Sequence, residues 1–129
     1  MSFGIEGTTA AVVTLALDAA TMRQQAIAAN IANVNTPGYR PVRVRFEEQL
    51  ATVRSELREA GALDPASLEG AQPAIEREPV AADPAGGSAV ALDQEVAKLS
   101  ANSLHYQVLL RALNRQLSII GNAINDGKR

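Results

Sequence analysis

Few residues in this sequence carry reactive chemistry. His105 is the only histidine and cysteine is absent, so neither a thiolate nucleophile nor a Cys/His metal cage can be assembled. A lone imidazole between Leu104 and Tyr106 reads as an ordinary helix-surface residue. Glu47-Glu48 and Glu76-Arg77-Glu78 suggest acid/base pairs at first sight. Adjacent residues on a helix do not face each other, however, and the second group falls in a proline-rich stretch, so both read as solvated charge. Arg40, Arg43 and Arg45 form the one basic cluster. Without interleaved aromatic residues, in a chain of net charge −2, it is a poor nucleic-acid surface. A charged strand face or an intersubunit contact suits it better. No phosphate-cradling Gly-rich loop, Gly-x-Ser-x-Gly or His-Glu-x-x-His occurs. The expectation is a non-enzymatic protein with no catalytic residue, cofactor, metal, nucleic acid or small-molecule substrate.

The informative polar chemistry lies elsewhere, in Ala29-Asn30-Ile31-Ala32-Asn33-Val34-Asn35-Thr36-Pro37-Gly38-Tyr39. Asn30, Asn33 and Asn35 are poor helix-interior residues, because their amides compete for backbone hydrogen bonds. At a helix end the same property is useful, since the last carbonyls lack partners. Thr36-Pro37-Gly38-Tyr39 reads as a turn. Proline sets φ at its second position, and glycine permits the positive φ that a type II turn demands at its third. The first helix should therefore stop by about 33–35.

Two long helices must position this corner. Over 8–34, Ala10, Val13, Leu17, Ala20, Ile27, Ile31 and Val34 recur at 3-4 spacing, with Gln24 as the one polar member. Gln24 either sets register between helices or faces solvent beside a shifted stripe, and the sequence leaves both open. Over 89–125 the pattern is stronger: Leu92, Val96, Leu99, Tyr106, Leu110, Leu113, Leu117, Ile120 and Ile124, with a gap at Ser103. This spacing is the seam of a coiled coil. The helices would be roughly 40 and 55 Å long.

Only four aromatic residues are present (Phe3, Tyr39, Phe46, Tyr106) in a chain that is 47% apolar. That combination favours thin helix-on-helix packing over a thick core. The fold class is mainly α, with the terminal helices packed as an antiparallel or coiled-coil pair. Such a pair has little core for its length and needs neighbours to cover the rest. Between the helices, Pro41–Phe46 alternates apolar and basic residues and suits a short strand or extended arm. Glu47–Ala60 reads as a short amphipathic helix through Phe46, Leu50, Val53 and Leu57. Residues 61–88, with Pro65, Pro73, Pro79, Pro84 and Gly86-Gly87, read as a mobile loop. The 129 residues form one domain: helix 1–35, insert 36–88, helix 89–129. Ala10–Ala20 has no preceding Lys or Arg and contains Asp18, so no cleaved signal peptide is expected.

The asparagine-rich run resembles the N-terminal signature of the flagellar axial proteins, the rod, hook and hook-associated family, which carry Asn-hydrophobic-Ala-Asn at the end of the first helix. The far end agrees in Leu92-Asp93-Gln94-Glu95-Val96-Ala97-Lys98-Leu99, in Asn102-Ser103-Leu104-His105-Tyr106-Gln107, and in Leu113-Asn114-Arg115. The resemblance covers about 8–58 and 88–126. The length matches the short proximal-rod members. The family's usual Gly-Asn-x-Val-Asp approach to the last helix is replaced by Gly87-Ser88-Ala89-Val90-Ala91, which leaves Ser88 or Asp93 to cap it.

The resemblance implies a structural subunit of the basal-body proximal rod that polymerises helically as part of the drive shaft. Implied partners are copies of itself, FlgC-type and distal rod proteins, the adaptor FliE and the flagellar type III export apparatus; the implied location is the periplasmic rod. Assembly would rest on the seam residues Val13, Leu17, Ala20, Ile27, Ile31, Val96, Leu99, Tyr106, Leu110, Leu113, Leu117, Ile120 and Ile124. The corner Asn30, Asn33, Asn35, Thr36, Pro37, Gly38 and Tyr39 would join them. The alternatives are a FlgC-type rod protein and a helical-hairpin adaptor or chaperone for one partner helix.

Overall fold

Alanine is the commonest residue towards the start of the chain and leucine towards its end, and both lose little freedom in a helix. In the computed structural model, which describes residues 2–61, 64–79 and 90–128, those ends are α1 (Ser2–Ala32) and α4 (Leu92–Asp126). At 31 and 35 residues they are about 46 and 52 Å long. The first helix starts earlier than its apolar spacing suggested. They pack together as an antiparallel pair: Asn30 near the end of α1 meets Glu95 near the start of α4, while Asn102 reaches back to Ala20 and Gln24.

The insert contains β1 (Val42–Arg45), α2 (Glu47–Ala60), α3 (Pro65–Gly70) and β2 (Ala74–Arg77). The strands form a two-stranded antiparallel sheet with Val42 opposite Arg77 and Val44 opposite Ile75. The alternation in β1 works as expected. Val44 is buried and Val42 half-buried, while Arg43 and Arg45 face out, where they pair with Glu76 at 3.5 Å and Glu48 at 3.0 Å. Exposed pairs of this kind add only about 0–1 kcal/mol each.

One side of α1 receives the insert. Ala19 and Ala26, with Leu15, Ala16 and Met22 around them, meet Val42, Val44, Phe46 and Leu50. Alanines seven residues apart leave a shallow track into which a strand can settle closely. The other side of α1 faces α4. Because two of its sides are covered, the apolar residues of α1 form no single narrow stripe, and Thr14, Asp18, Thr21 and Gln25 mark the strip left exposed.

Two expectations need correction. The reading of 61–88 as a loop fails for 64–79, which hold α3 and β2. Asp64 caps α3 by accepting from the Ala66 N–H at 3.0 Å, and proline at the first helical position completes a start signal. Gly61 caps the end of α2 with φ 69°, and 62–63 and 80–88 lie outside the described residues. Asp93 is not the cap of α4: Ala91 is, with no side-chain bond, and Asp93 lies in the first turn. Ser88 lies outside the described residues. Acidic residues in that first turn, Asp93 and Glu95, still complement the helix dipole.

Candidate functional site

The chain turns out of α1 as the Asn-rich run demands. Asn33 donates from its side chain to the Ala29 carbonyl at 2.8 Å and so satisfies one of the last helical acceptors. Thr36 donates through its hydroxyl to Asn33 Oδ1 and through its backbone to the Asn33 carbonyl. The Tyr39 N–H bonds to the Thr36 carbonyl at 3.2 Å, and Gly38 has φ +73°. These are the marks of the expected type II turn. A Cβ added at Gly38 would meet nothing within 4 Å, so only the backbone resists substitution there. Gly38→Ala should cost about 1 kcal/mol through left-handed strain, read as a shift in the urea midpoint.

Asn30 does something the sequence did not announce. It is 3% exposed and uses its whole amide. Its Nδ2 donates to the Val42 carbonyl at 2.9 Å and to Glu95 Oε2 at 3.2 Å; its Oδ1 accepts from the Val42 N–H at 2.9 Å and the Tyr39 hydroxyl at 3.0 Å. One side chain therefore ties the end of α1 to β1, to the turn and to α4. Asn35 is exposed and plays no comparable role in the fold. Glu95 is buried, yet its other oxygen takes Lys98 Nζ at 2.9 Å, and it sits on the positive end of α4. Arg23 ion-pairs with Glu47 and so ties α1 to the start of α2; burial lowers its guanidinium pKa from the ordinary value.

The paired face of α4 is rotated from the stripe that hydrophobicity selects. Glu95, Leu99, Asn102, Leu109, Leu113, Gln116, Ile120 and Gly121 are the buried or half-buried positions. Of the seam residues named from the sequence, Val13, Leu17, Ile31, Leu99, Leu113 and Ile120 are half-buried, and Ala20 and Ile27 fully so. Tyr106 lies at the edge. Val96, Leu110, Leu117 and Ile124 are exposed beside the seam. The polar residues Glu95, Asn102 and Gln116 take the inner column instead. Gln24 is half-buried and accepts from Asn102 at 3.0 Å, so it faces α4. The missed column was detectable as a seven-residue repeat of Glu95, Asn102, Leu109 and Gln116, a pattern that apolarity alone passes over.

A groove of about 670 Å³ runs between α1, β1 and α4, with Ala26, Ile27, Val44 and Ala101 among its apolar lining and His105 and Lys98 at α4's edge. His105 itself is exposed. Among the described residues, no three His, Asp or Glu side chains are grouped to hold a metal ion, and no helix is long and apolar enough to cross a membrane.

A helical hairpin fastened by the buried asparagines Asn30 and Asn102, with large apolar side chains left open along its second helix, is the build of an assembly subunit. Comparison with known proteins makes the class specific. A family profile described as flagella basal body rod protein matches residues 14–40, the second half of α1 and the whole corner. The flagellar basal body rod protein FlgB of Escherichia coli K12 is 32% identical over 123 residues, covering 87% of this chain and 89% of that one. Its namesakes in Bacillus subtilis 168 (29% over 117 residues; 88% and 90% covered) and Yersinia enterocolitica (30% over 123; 87% and 90%) are similarly alike. The chain belongs to the flagellar basal-body rod proteins, within the FlgB family.

Proposed function

We propose that subunits of this chain stack around a common axis through their long helices and build the proximal part of the rod, the shaft that transmits motor rotation. The observation that carries the reading is the open stripe of α4. Val96, Leu110, Leu117 and Ile124 share one heptad column of α4 and are between 39 and 53% exposed, and a chain that works alone in water rarely leaves so long an apolar strip bare. The exposed seam positions Val96, Tyr106, Leu110, Leu117 and Ile124 and the exposed corner residues Asn35, Thr36, Pro37 and Gly38 are the surfaces assigned to assembly. Heterologous contacts between such faces, repeated with a rotation that does not close, generate a helical tube. The neighbours in this reading are further copies, FlgC-type and distal rod subunits, and the adaptor FliE. Delivery is through the flagellar type III apparatus to the periplasmic rod.

The test is charge on the open stripe. Leu110→Asp and Leu117→Asp should leave the helical content of the isolated chain unchanged, because both side chains already touch water. In a mixture of rod proteins, or in cells, each should block rod formation, since an uncompensated carboxylate in an apolar contact costs on the order of 3 kcal/mol at every repeat. Rods of normal length and number built from either variant would sink the proposal.

A further inference from the structure

The seam between α1 and α4 holds more polar chemistry than the pairing of two helices requires. Asn30, Glu95 and Asn102 are all buried. On α4, Glu95 and Asn102 stand one heptad apart. Their partners step back along α1, Asn30 for Glu95, and Ala20 with Gln24 for Asn102, whose Nδ2 donates to the Ala20 carbonyl at 2.8 Å.

The apolar part of the seam has no such individuality. Val13, Ala20 and Ile27 repeat every seven residues on α1, and Leu17 and Ile31 stand one heptad to either side of Gln24. On α4, Leu99, Tyr106, Leu113 and Ile120 repeat the same way. Apolar side chains at equal spacing pack nearly as well after a slide of one heptad. The polar residues do not. In one direction Asn102 would face Val13 and Leu17, in the other Ile27 and Ile31, and either way Glu95 leaves Asn30. Each slide strands buried amides and a buried carboxylate.

We infer that Asn102 and the Asn30–Glu95 pair form a register lock that admits one alignment of the two helices. Buried polar seam residues fix register in coiled coils for the same reason. Because Asn30 also holds both backbone groups of Val42, the lock sets where the insert stands relative to the open stripe of α4. It is a property of the single chain and stands or falls independently of the rod reading.

The absence of cysteine makes the test clean. Asn102 seats between Ala20 and Gln24, so one heptad on, Leu109 seats between Val13 and Leu17. The full chain is prepared with Val13→Cys and Leu109→Cys, which report the native alignment. A second version carries Val13→Cys and Gln116→Cys, which lie about 10 Å apart along the axis until the helices slide. On oxidation the first pair should close and the second scarcely. Adding Asn102→Leu should keep the helical content and raise closure of the second pair about tenfold. Glu95→Leu should act in the same direction, and Glu95→Gln, which can still accept from Asn30, should restore the single alignment. The inference is overturned if both pairs close equally in the parent. It is equally overturned if Asn102→Leu leaves their ratio unchanged, or if that variant loses its helices without any shifted product.

Discussion

Replacing Asn30 with alanine is expected to lower the stability of the chain by about 3–4 kcal/mol, enough to unfold much of the insert in the isolated protein. The figure follows from what is left behind. The side chain engages four groups: the Val42 N–H, the Val42 carbonyl, the Tyr39 hydroxyl and Glu95 Oε2. A buried group stripped of its partner loses about 1–3 kcal/mol, and water entering beside half-buried Val42 and Tyr39 recovers part of the total. Urea unfolding measures the sum, and amide exchange localises it. Val42 and its neighbours in β1 and β2 should exchange fastest, while the middle of α1 stays protected. A loss under about 1 kcal/mol would mean that the Asn30 bonds are decoration on a fold held elsewhere.

Phe46→Ala should cost a comparable amount, about 3–5 kcal/mol. Phe46 is 3% exposed and is the one aromatic side chain in the cluster with Ala19, Ala26 and Val44. The alanines opposite it are already minimal, and their helix backbone cannot move in to fill a cavity. The phenylalanine also joins β1 to α2, directly preceding Glu47. Its loss should release α2 and the sheet together and leave the α1–α4 pairing in place. Circular dichroism would then show a small loss of helix, and limited proteolysis new cuts within 46–60. Phe46→Leu, which fills most of the space, should recover at least half of the loss.

The two predictions also mark where the sequence is legible. The long helices and the short strand follow from periodicities of 3-4 and 2, and the turn from proline and glycine in their required positions, because each signal is local. β2 has no such signal. Ala74-Ile75-Glu76-Arg77 becomes a strand only because β1, thirty residues earlier in the chain, offers it an edge. The α4 seam misleads for a different reason. Hydrophobicity ranks Val96, Leu110 and Leu117 above Glu95, Asn102 and Gln116, but burial depends on whether a polar group finds its partner. Asn102 finds Ala20 and Gln24, and Glu95 finds Asn30 and Lys98. Apart from Glu95–Lys98, these pairings join residues 65 to 82 positions apart and are invisible to any short window. The corner is legible as a helix stop with polar side chains to spare. That one of them would clasp three other elements could not be read from its neighbours.

An antiparallel hairpin responds unequally to tension. Ser2 and Asp126 lie at the tip away from the Asn30 corner, so pulling them apart peels the helices one rung at a time and reaches the polar clasps last. Pulling α1 and α4 lengthwise past each other loads every rung at once, including Asn30–Glu95 and Asn102–Gln24. The molecule should therefore be weak when unzipped from its tip and strong against sliding, a mechanical anisotropy that stretching single chains by different pairs of attachment points would measure directly.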